Sequence, residues 1–207
     1  MKIGVIGAGH IGGTAAKLLA QAGHHAGVSN SRGPASLDGL VSSIGPNVKA
    51  MSPADAVRFG EVILLALPWR KMDELPPAEL FKGKVVIDAM NAYSAVGRVV
   101  DLGDRTSSEE VSKRLPGARI AKAFNTMGWQ TLGTGGQREP ENRLAIFVAG
   151  DDAEAKAVVA KLIEEIGFAP IDTGSLREGG RRQQPGSPIY GPPLRVKEAK
   201  TLLNRLP

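Results

Sequence analysis

The stretch Lys2-Ile3-Gly4-Val5-Ile6-Gly7-Ala8-Gly9-His10-Ile11-Gly12 decides the fold. It reads as a buried strand, a tight glycine turn and the first turn of a helix. Gly7, Gly9 and Gly12 complete the spacing G-x-G-x-x-G directly after an apolar run. Gly7 permits the sharp turn out of the strand, Gly9 lets the backbone approach a pyrophosphate, and Gly12 lets the helix lie close against the sheet. The unpaired N–H groups and positive dipole end of that helix then face the anion. Ile11, Ala15, Leu18, Leu19 and Ala22 follow at helical spacing, and Gly23 supplies the stop. Gly7, Ala8, Gly9, His10, Ile11 and Gly12 are therefore the expected phosphate contacts.

Working outward, the second strand is His25 to Ser29, weak in propensity because Gly27 is internal, and its end selects the nucleotide. An acidic side chain there would accept from a ribose 2′-hydroxyl. The chain instead has Asn30-Ser31-Arg32, and no acid follows until Asp38. A carboxylate would repel a 2′-phosphate, whereas the Ser31 hydroxyl and the Arg32 guanidinium bind one. The expected cofactor is NADP(H) rather than NAD(H).

Strands and helices then alternate. Pro34 opens a second helix with Leu37, Leu40, Val41 and Ile44 inward, ended by Gly45-Pro46. A short strand, Val48 to Met51, precedes a helix capped by Ser52 with Pro53 in its first turn. Val62 to Leu67 is continuously apolar, as a parallel strand covered on both faces should be. It runs into Pro68-Trp69 at the carboxyl edge, where ligands of such sheets sit. Trp69 either offers its face to a nicotinamide or packs beneath its loop; the sequence allows both. Val85 to Asp88 runs into a loop in which Asn91 can donate to and accept from a carboxamide or ribose.

Ser107 and Glu110 have capping-box spacing. Ala118 to Ala121 makes a further strand, and the loop after it places Ala123 and Asn125 at the same edge. Gly133 to Arg143 is glycine-rich, polar and expected to be irregular. Leu144 to Ala149 and Phe168 to Asp172 are the last strands, separated by a helix capped at Gly150-Asp151-Asp152. These spacings predict a Rossmann-type, doubly wound α/β fold with a mainly parallel sheet. The expected division is a nucleotide-binding domain over 1–174 and an extension over 175–207, packing over the strand ends or against a second subunit. Arg181 and Arg182 there either clamp an anion or are solvated.

The 207 residues suffice for one sizeable core, and 42% apolar with 23% charged residues is an ordinary globular balance. No cysteine is present, which excludes disulfides, thiolate metal sites and cysteine nucleophiles. No histidine has a metal-ligand partner at helical spacing, so no metal site is expected. A net charge of +5 with 4% aromatic residues and no basic run interleaved with aromatics argues for a small anionic co-substrate over nucleic acid. No apolar run approaches bilayer length, and nothing resembling a secretory signal precedes the first strand; the expectation is a cytoplasmic protein without a membrane partner.

The chain resembles the F-420-dependent NADP oxidoreductases. Gly7-Ala8-Gly9-His10-Ile11-Gly12, Asn30-Ser31-Arg32, Leu67-Pro68-Trp69, Ala149-Gly150-Asp151-Asp152 and Asp172-Thr173-Gly174-Ser175-Leu176 carry the likeness over roughly the first 176 positions. It is also similar to the NADPH domain of the STEAP metalloreductases. The resemblance implies that Ser31 and Arg32 hold the 2′-phosphate, that Leu67, Pro68 and Trp69 line the nicotinamide, and that the protein is a homodimer. It implies hydride transfer between NADP(H) and coenzyme F-420, or a flavin such as FMN or FAD. Archaeal members carry a histidine-threonine pair where Asn125-Thr126 stands, and the tail around Arg181 to Ser187 also differs. The nucleotide half therefore carries over better than the acceptor half.

Such chemistry asks little of side chains, because the cofactors carry the reactive atoms; no catalytic residue is assigned. A second reading is an NADP-dependent dehydrogenase of a small carbonyl or imine, which needs a proton donor from Tyr93, Lys122 or Tyr190. A Tyr–Lys pair beside the nicotinamide would mark it. A third is a non-catalytic NADP-binding protein.

Overall fold

Val62–Leu65 and Val85–Asp88 are buried along their whole length, as strands covered on both faces must be. The structure, a computed structural model, describes residues 1–136 and 139–206. Its strands are β1 (Lys2–Ile6), β2 (His25–Ser29), β3 (Val48–Ala50), β4 (Val62–Leu65), β5 (Val85–Asp88), β6 (Arg119–Lys122), β7 (Ala145–Gly150) and β8 (Ala169–Gly174). Among the described residues they form one eight-stranded sheet with order β3-β2-β1-β4-β5-β6-β7-β8, so β4 and β5 lie in its middle. The helices are α1 (His10–Gln21), α2 (Asp38–Ile44), α3 (Pro53–Phe59), α4 (Ser107–Arg114), α5 (Trp129–Thr134), α6 (Ala153–Glu165), α7 (Glu178–Arg182) and α8 (Val196–Leu203). This is the doubly wound, Rossmann-type architecture read from the sequence.

Successive strand residues point to opposite faces, and the core divides accordingly. Val5, Leu64 and Ile87 pack on one face with Ala16 and Leu19 of α1 and Val159, Leu162 and Ile163 of α6. Ile63, Leu65 and Val86 pack on the other with Val57 of α3 and Val111 of α4. A third cluster joins Phe147 and Ile171 to Ile189, Ala199 and the apolar face of α8. Residues 175–206 thus lie against β7 and β8.

Several local expectations shift. β7 pairs with β6 antiparallel, through Ala121 with Gly150 and Lys122 with Ala149, whereas the other strand pairs are parallel. The helix of the connection, α5, has 6 residues and packs on α1, and the chain re-enters the sheet from the edge it left. α5 also occupies the first two residues of the stretch expected to be irregular; within that stretch Gln137 and Arg138 lie outside the described residues. The capping box of α4 is Thr106 with Glu109, one residue earlier than Ser107 with Glu110. Ser107 and Ser108 instead turn inward to buried charges. Ala22 is exposed rather than part of the buried stripe of α1.

Candidate functional site at the carboxyl edge

The chain leaves β1, builds β2 and β3 on one side, and returns to place β4 on the other side of β1. The carboxyl ends of β1 and β4 therefore flank the switch point at which such sheets bind ligands. Gly7 turns there with φ of 101°, in the left-handed region. The Gly7 and Ala8 amides both donate to the Ser29 carbonyl, at 3.0 and 3.1 Å, fastening the loop to the end of β2. A Cβ on Gly12 would fall on the Gly7 carbonyl oxygen, so this helix and turn close only around glycine.

Gly9 differs. A Cβ there would meet nothing within 4 Å, so the chain's own packing does not demand glycine. It leaves a cradle in front of α1. No side chain caps α1, and no acidic residue lies in its first turn. Its first N–H groups thus point outward for an anion. Ile11 is half-buried against the core, whereas His10 is exposed and stacks on Trp129, with ring centroids 4.6 Å apart and an interplanar angle of 11°. Trp129 closes the loop after β6, and nothing in the sequence pairs it with His10. It stands at the first position of α5, and only the packing of α5 against α1 brings it to the glycine loop.

At the end of β2, Asn30 organises the loop. Its Oδ1 accepts from the Arg32 amide at 2.9 Å, and its Nδ2 donates to the Ser36 hydroxyl at 2.9 Å. Ser31 and Arg32 are exposed, and neither side chain has a hydrogen bond or ion pair among the described residues. A phosphate with two free donors of this kind and no facing acid is well matched.

Leu67 and Trp69 pack against the cluster of Ile6, Leu65 and Phe81, with Pro68 exposed between them. Trp69 thus packs beneath its loop while remaining half-exposed. The Trp69 Nε1 is buried without an acceptor among the described residues.

The ends of β5 and β6 are held by a charge network that the sequence did not reveal. Lys122 and Asp88 are fully buried partners at 3.4 Å, adjacent in strand register. Lys122 Nζ also donates to the Met90 carbonyl at 3.1 Å and to Ser107 Oγ at 3.0 Å. Asp88 accepts from the Met90 amide at 2.9 Å and from Ser108 Oγ at 2.6 Å. With its three donors used, Lys122 has none for a substrate. The Tyr–Lys pair that would mark a dehydrogenase is not formed.

Above this network, Asn91 Nδ2 donates to the Asn125 carbonyl at 2.9 Å and to Tyr190 Oη at 3.2 Å. Asn125 Nδ2 donates to Asn91 Oδ1 at 3.0 Å and to the Gln183 carbonyl at 2.8 Å. Asn125 is 5% exposed and its Oδ1 has no donor; Gln183 Oε1 is in the same state. Buried acceptors without partners are costly unless a ligand or water supplies a donor. Ala123 is buried and donates its amide to the Asp88 carbonyl at 3.1 Å. Phe124, between them, has φ of 66°, a conformation non-glycine residues rarely adopt and one that clusters at functional sites.

Tyr190 arrives from the tail, where the Gly191 amide donates to the Thr126 carbonyl at 2.8 Å. Its hydroxyl lies 3.2 Å from that of Tyr93. Burial, and then the Tyr93 hydroxyl, push the Tyr190 phenol well above the usual tyrosine range. Arg181 and Arg182 do not converge on one anion. Arg181 lines a cavity of about 290 Å³ with Ala92, Arg105 and Gln184, and donates to the Asp104 carbonyl at 2.7 Å. Arg182 lines a different cavity of about 560 Å³ beside β8 and donates to the Thr173 carbonyl at 3.2 Å. Among the described residues no helix is long and apolar enough to cross a membrane, and no cluster of metal-ligating side chains occurs.

Residues 2–92 match the family model described as "NADP oxidoreductase coenzyme F420-dependent". A hypothetical protein of Sinorhizobium meliloti is 35% identical, with 94% of this chain and 95% of that one covered and a TM-score of 0.83. A putative F-420 dependent NADP-reductase from Arthrobacter sp. FB24 is 27% identical over 85% of this chain and 86% of that one, with a TM-score of 0.71. The metalloreductase STEAP3 of Rattus norvegicus is 28% identical over 84% of this chain but 34% of its own length. The chain thus spans about a third of the curated relatives it matches. By the match over residues 2–92 and these likenesses, the chain belongs to the coenzyme F-420-dependent NADP oxidoreductase family.

Proposed function

We propose that the chain moves hydride between NADP(H) and a flat conjugated acceptor, coenzyme F-420 or a flavin such as FMN or FAD. One observation carries the nucleotide half: two unpaired phosphate donors, Ser31 and Arg32, stand at the end of β2 with no carboxylate before Asp38. The uncapped N-terminus of α1 and the Gly9 cradle receive the pyrophosphate. Asn125 Oδ1, buried and lacking a donor, suits an amide N–H such as that of a carboxamide. When bound, NADPH supplies the hydride; the protein's part is to hold the two ring systems at reacting distance and exclude water. Family membership and the Arthrobacter relative support the acceptor class. Pool sizes set the direction of net transfer.

Reduction of a small carbonyl or imine is the second reading, favoured by the paired tyrosine hydroxyls near the ends of β5 and β6. The test is NADPH oxidation by the purified protein with F-420, FMN, FAD, a panel of small imines and carbonyls, or no acceptor. Turnover with a deazaflavin or flavin is expected. Turnover confined to imines or carbonyls would establish the second reading, and tight NADPH binding without turnover would establish a binding protein. A homodimer goes with the leading reading and is checked by light scattering.

A further inference from the structure

We propose that Tyr93 and Tyr190 together form the hydrogen-donating wall of the acceptor site, presenting one O–H to the atom that becomes negative when hydride arrives. The inference rests on the oxidoreductase reading above but not on which acceptor is used. It follows from counting hydrogens. Asn91 spends both Nδ2 hydrogens, one on the Asn125 carbonyl and one on Tyr190 Oη. Tyr190 is therefore an acceptor from that side. The two phenols share a single hydrogen bond, which uses one of their two O–H hydrogens. The other has no acceptor among the described residues, whichever phenol donates. Both residues are half-buried, so the pair is reachable from outside the core.

The placement is right for this task. The ends of β1, β4, β5 and β6 follow one another along the edge. At about 4.8 Å per strand step, the end of β5 lies roughly 10 Å from the pyrophosphate turn at β1. That is the side to which the nicotinamide half of the nucleotide extends. Lys122 has no free donor, as shown above. The raised affinity of the Tyr190 phenol for its proton keeps it a donor throughout the neutral range. Tyr190 belongs to the tail, which crosses the edge at Gly191 and Thr126, so the tail completes the site.

The chemistry balances. The C4–H bond of the dihydronicotinamide breaks and its electron pair forms the new bond to hydrogen on the acceptor, C–H on a deazaflavin and N–H on a flavin. The electron pair of the acceptor's conjugated double bond moves onto a nitrogen or oxygen, which takes the phenolic hydrogen bond and then a proton. Water reprotonates the phenol. NADPH, the acceptor and one proton give NADP⁺ and the two-electron-reduced acceptor.

The test compares Tyr93→Phe, Tyr190→Phe and the double variant with the parent. NADPH affinity is read by fluorescence titration, oxidised acceptor affinity by its absorbance shift in the presence of NADP⁺, and turnover with and without D₂O. Tyr93→Phe leaves Tyr190 free to donate, so a small loss is expected. The double variant should lose about 10²-fold in kcat, weaken acceptor binding and lose the solvent isotope effect, with NADPH affinity unchanged. If the double variant does not fold, Tyr93→Leu with Tyr190→Phe decides instead, with the same loss in kcat expected, because either phenol left alone can still donate. Turnover of the deciding variant within twofold of the parent would overturn the pair's role and leave the oxidoreductase reading standing. A parent that binds NADPH but reduces no acceptor would overturn both.

Discussion

Replacing Arg32 by alanine isolates the nucleotide argument with little interference from folding. The side chain is exposed and has no partner among the described residues, so its removal breaks nothing in the free protein. Stability should stay within about 0.5 kcal/mol of the parent, as for surface changes away from special features. Its neighbours are held independently of it, because the Arg32 backbone amide, not its guanidinium, bonds to Asn30 Oδ1. Loss of a charged hydrogen bond to a phosphate costs about 1.5–3 kcal/mol, which is roughly a 10- to 140-fold rise in Kd for NADPH. NADH, which has a hydroxyl in place of the phosphate, should bind almost unchanged. The site is open to solvent, so the preference for NADPH over NADH should also shrink as salt is raised. Calorimetric or fluorescence titration with both nucleotides at two ionic strengths reads these outcomes directly. Equal losses for NADPH and NADH would refute the placement of the 2′-phosphate beside Ser31 and Arg32.

Other consequences are separately testable. Gly9→Ala should leave thermal stability unchanged, since the new methyl meets nothing, yet weaken NADPH binding; Gly12→Ala, whose methyl lands on the Gly7 carbonyl, should cost about 1–3 kcal/mol in denaturant unfolding. Lys122→Met strands Asp88 as a buried charge and should destabilise by about 3–5 kcal/mol; adding Asp88→Leu should recover part of that in the same assay. Asp152 caps α6, accepting from the Ala155 amide at 2.9 Å. Arg119 beside it, then that amide, hold its carboxyl well below the usual carboxylate range. A depressed folded value contributes stability above the unfolded pKa, near 4, and that stability fades as pH falls toward the folded value. The drop in Tm below pH 4 should therefore be shallower in Asp152→Asn than in the parent.

The glycine turn and the loop after β2 were legible because their signals are local. Three glycines at fixed spacing, an apolar run before them and a basic pair one strand later are properties of short segments. The free Ser31 and Arg32 follow from that spacing. Even Gly27, a poor strand residue, is explained only by tertiary contact, since a side chain there would strike the Met51 sulfur. The direction of β7 was hidden for a related reason. The path of the connection, not strand composition, decides parallel or antiparallel pairing, and that path depends on where α5 packs. The Asp88–Lys122 pair left a faint mark, a charge closing each of two apolar strands, but their register made them partners.

The proposed acceptor half is assembled from distant parts of the chain. Asn91 and Tyr190 are 99 positions apart, and Asn125 and Gln183 are 58 apart. No periodicity or spacing rule relates such residues, because what joins them is the tail folding back over β7 and β8. The physical consequence is a division of labour. The glycine turn and the end of β2 are fixed by a rigid strand–turn–helix, so nucleotide recognition is built into the sheet. The donors and acceptors above β5 and β6 depend on a segment docked by a small cluster of Ile189, Ala199 and their neighbours. On the proposal above, changes in that segment alter which acceptor is used without disturbing the nucleotide site.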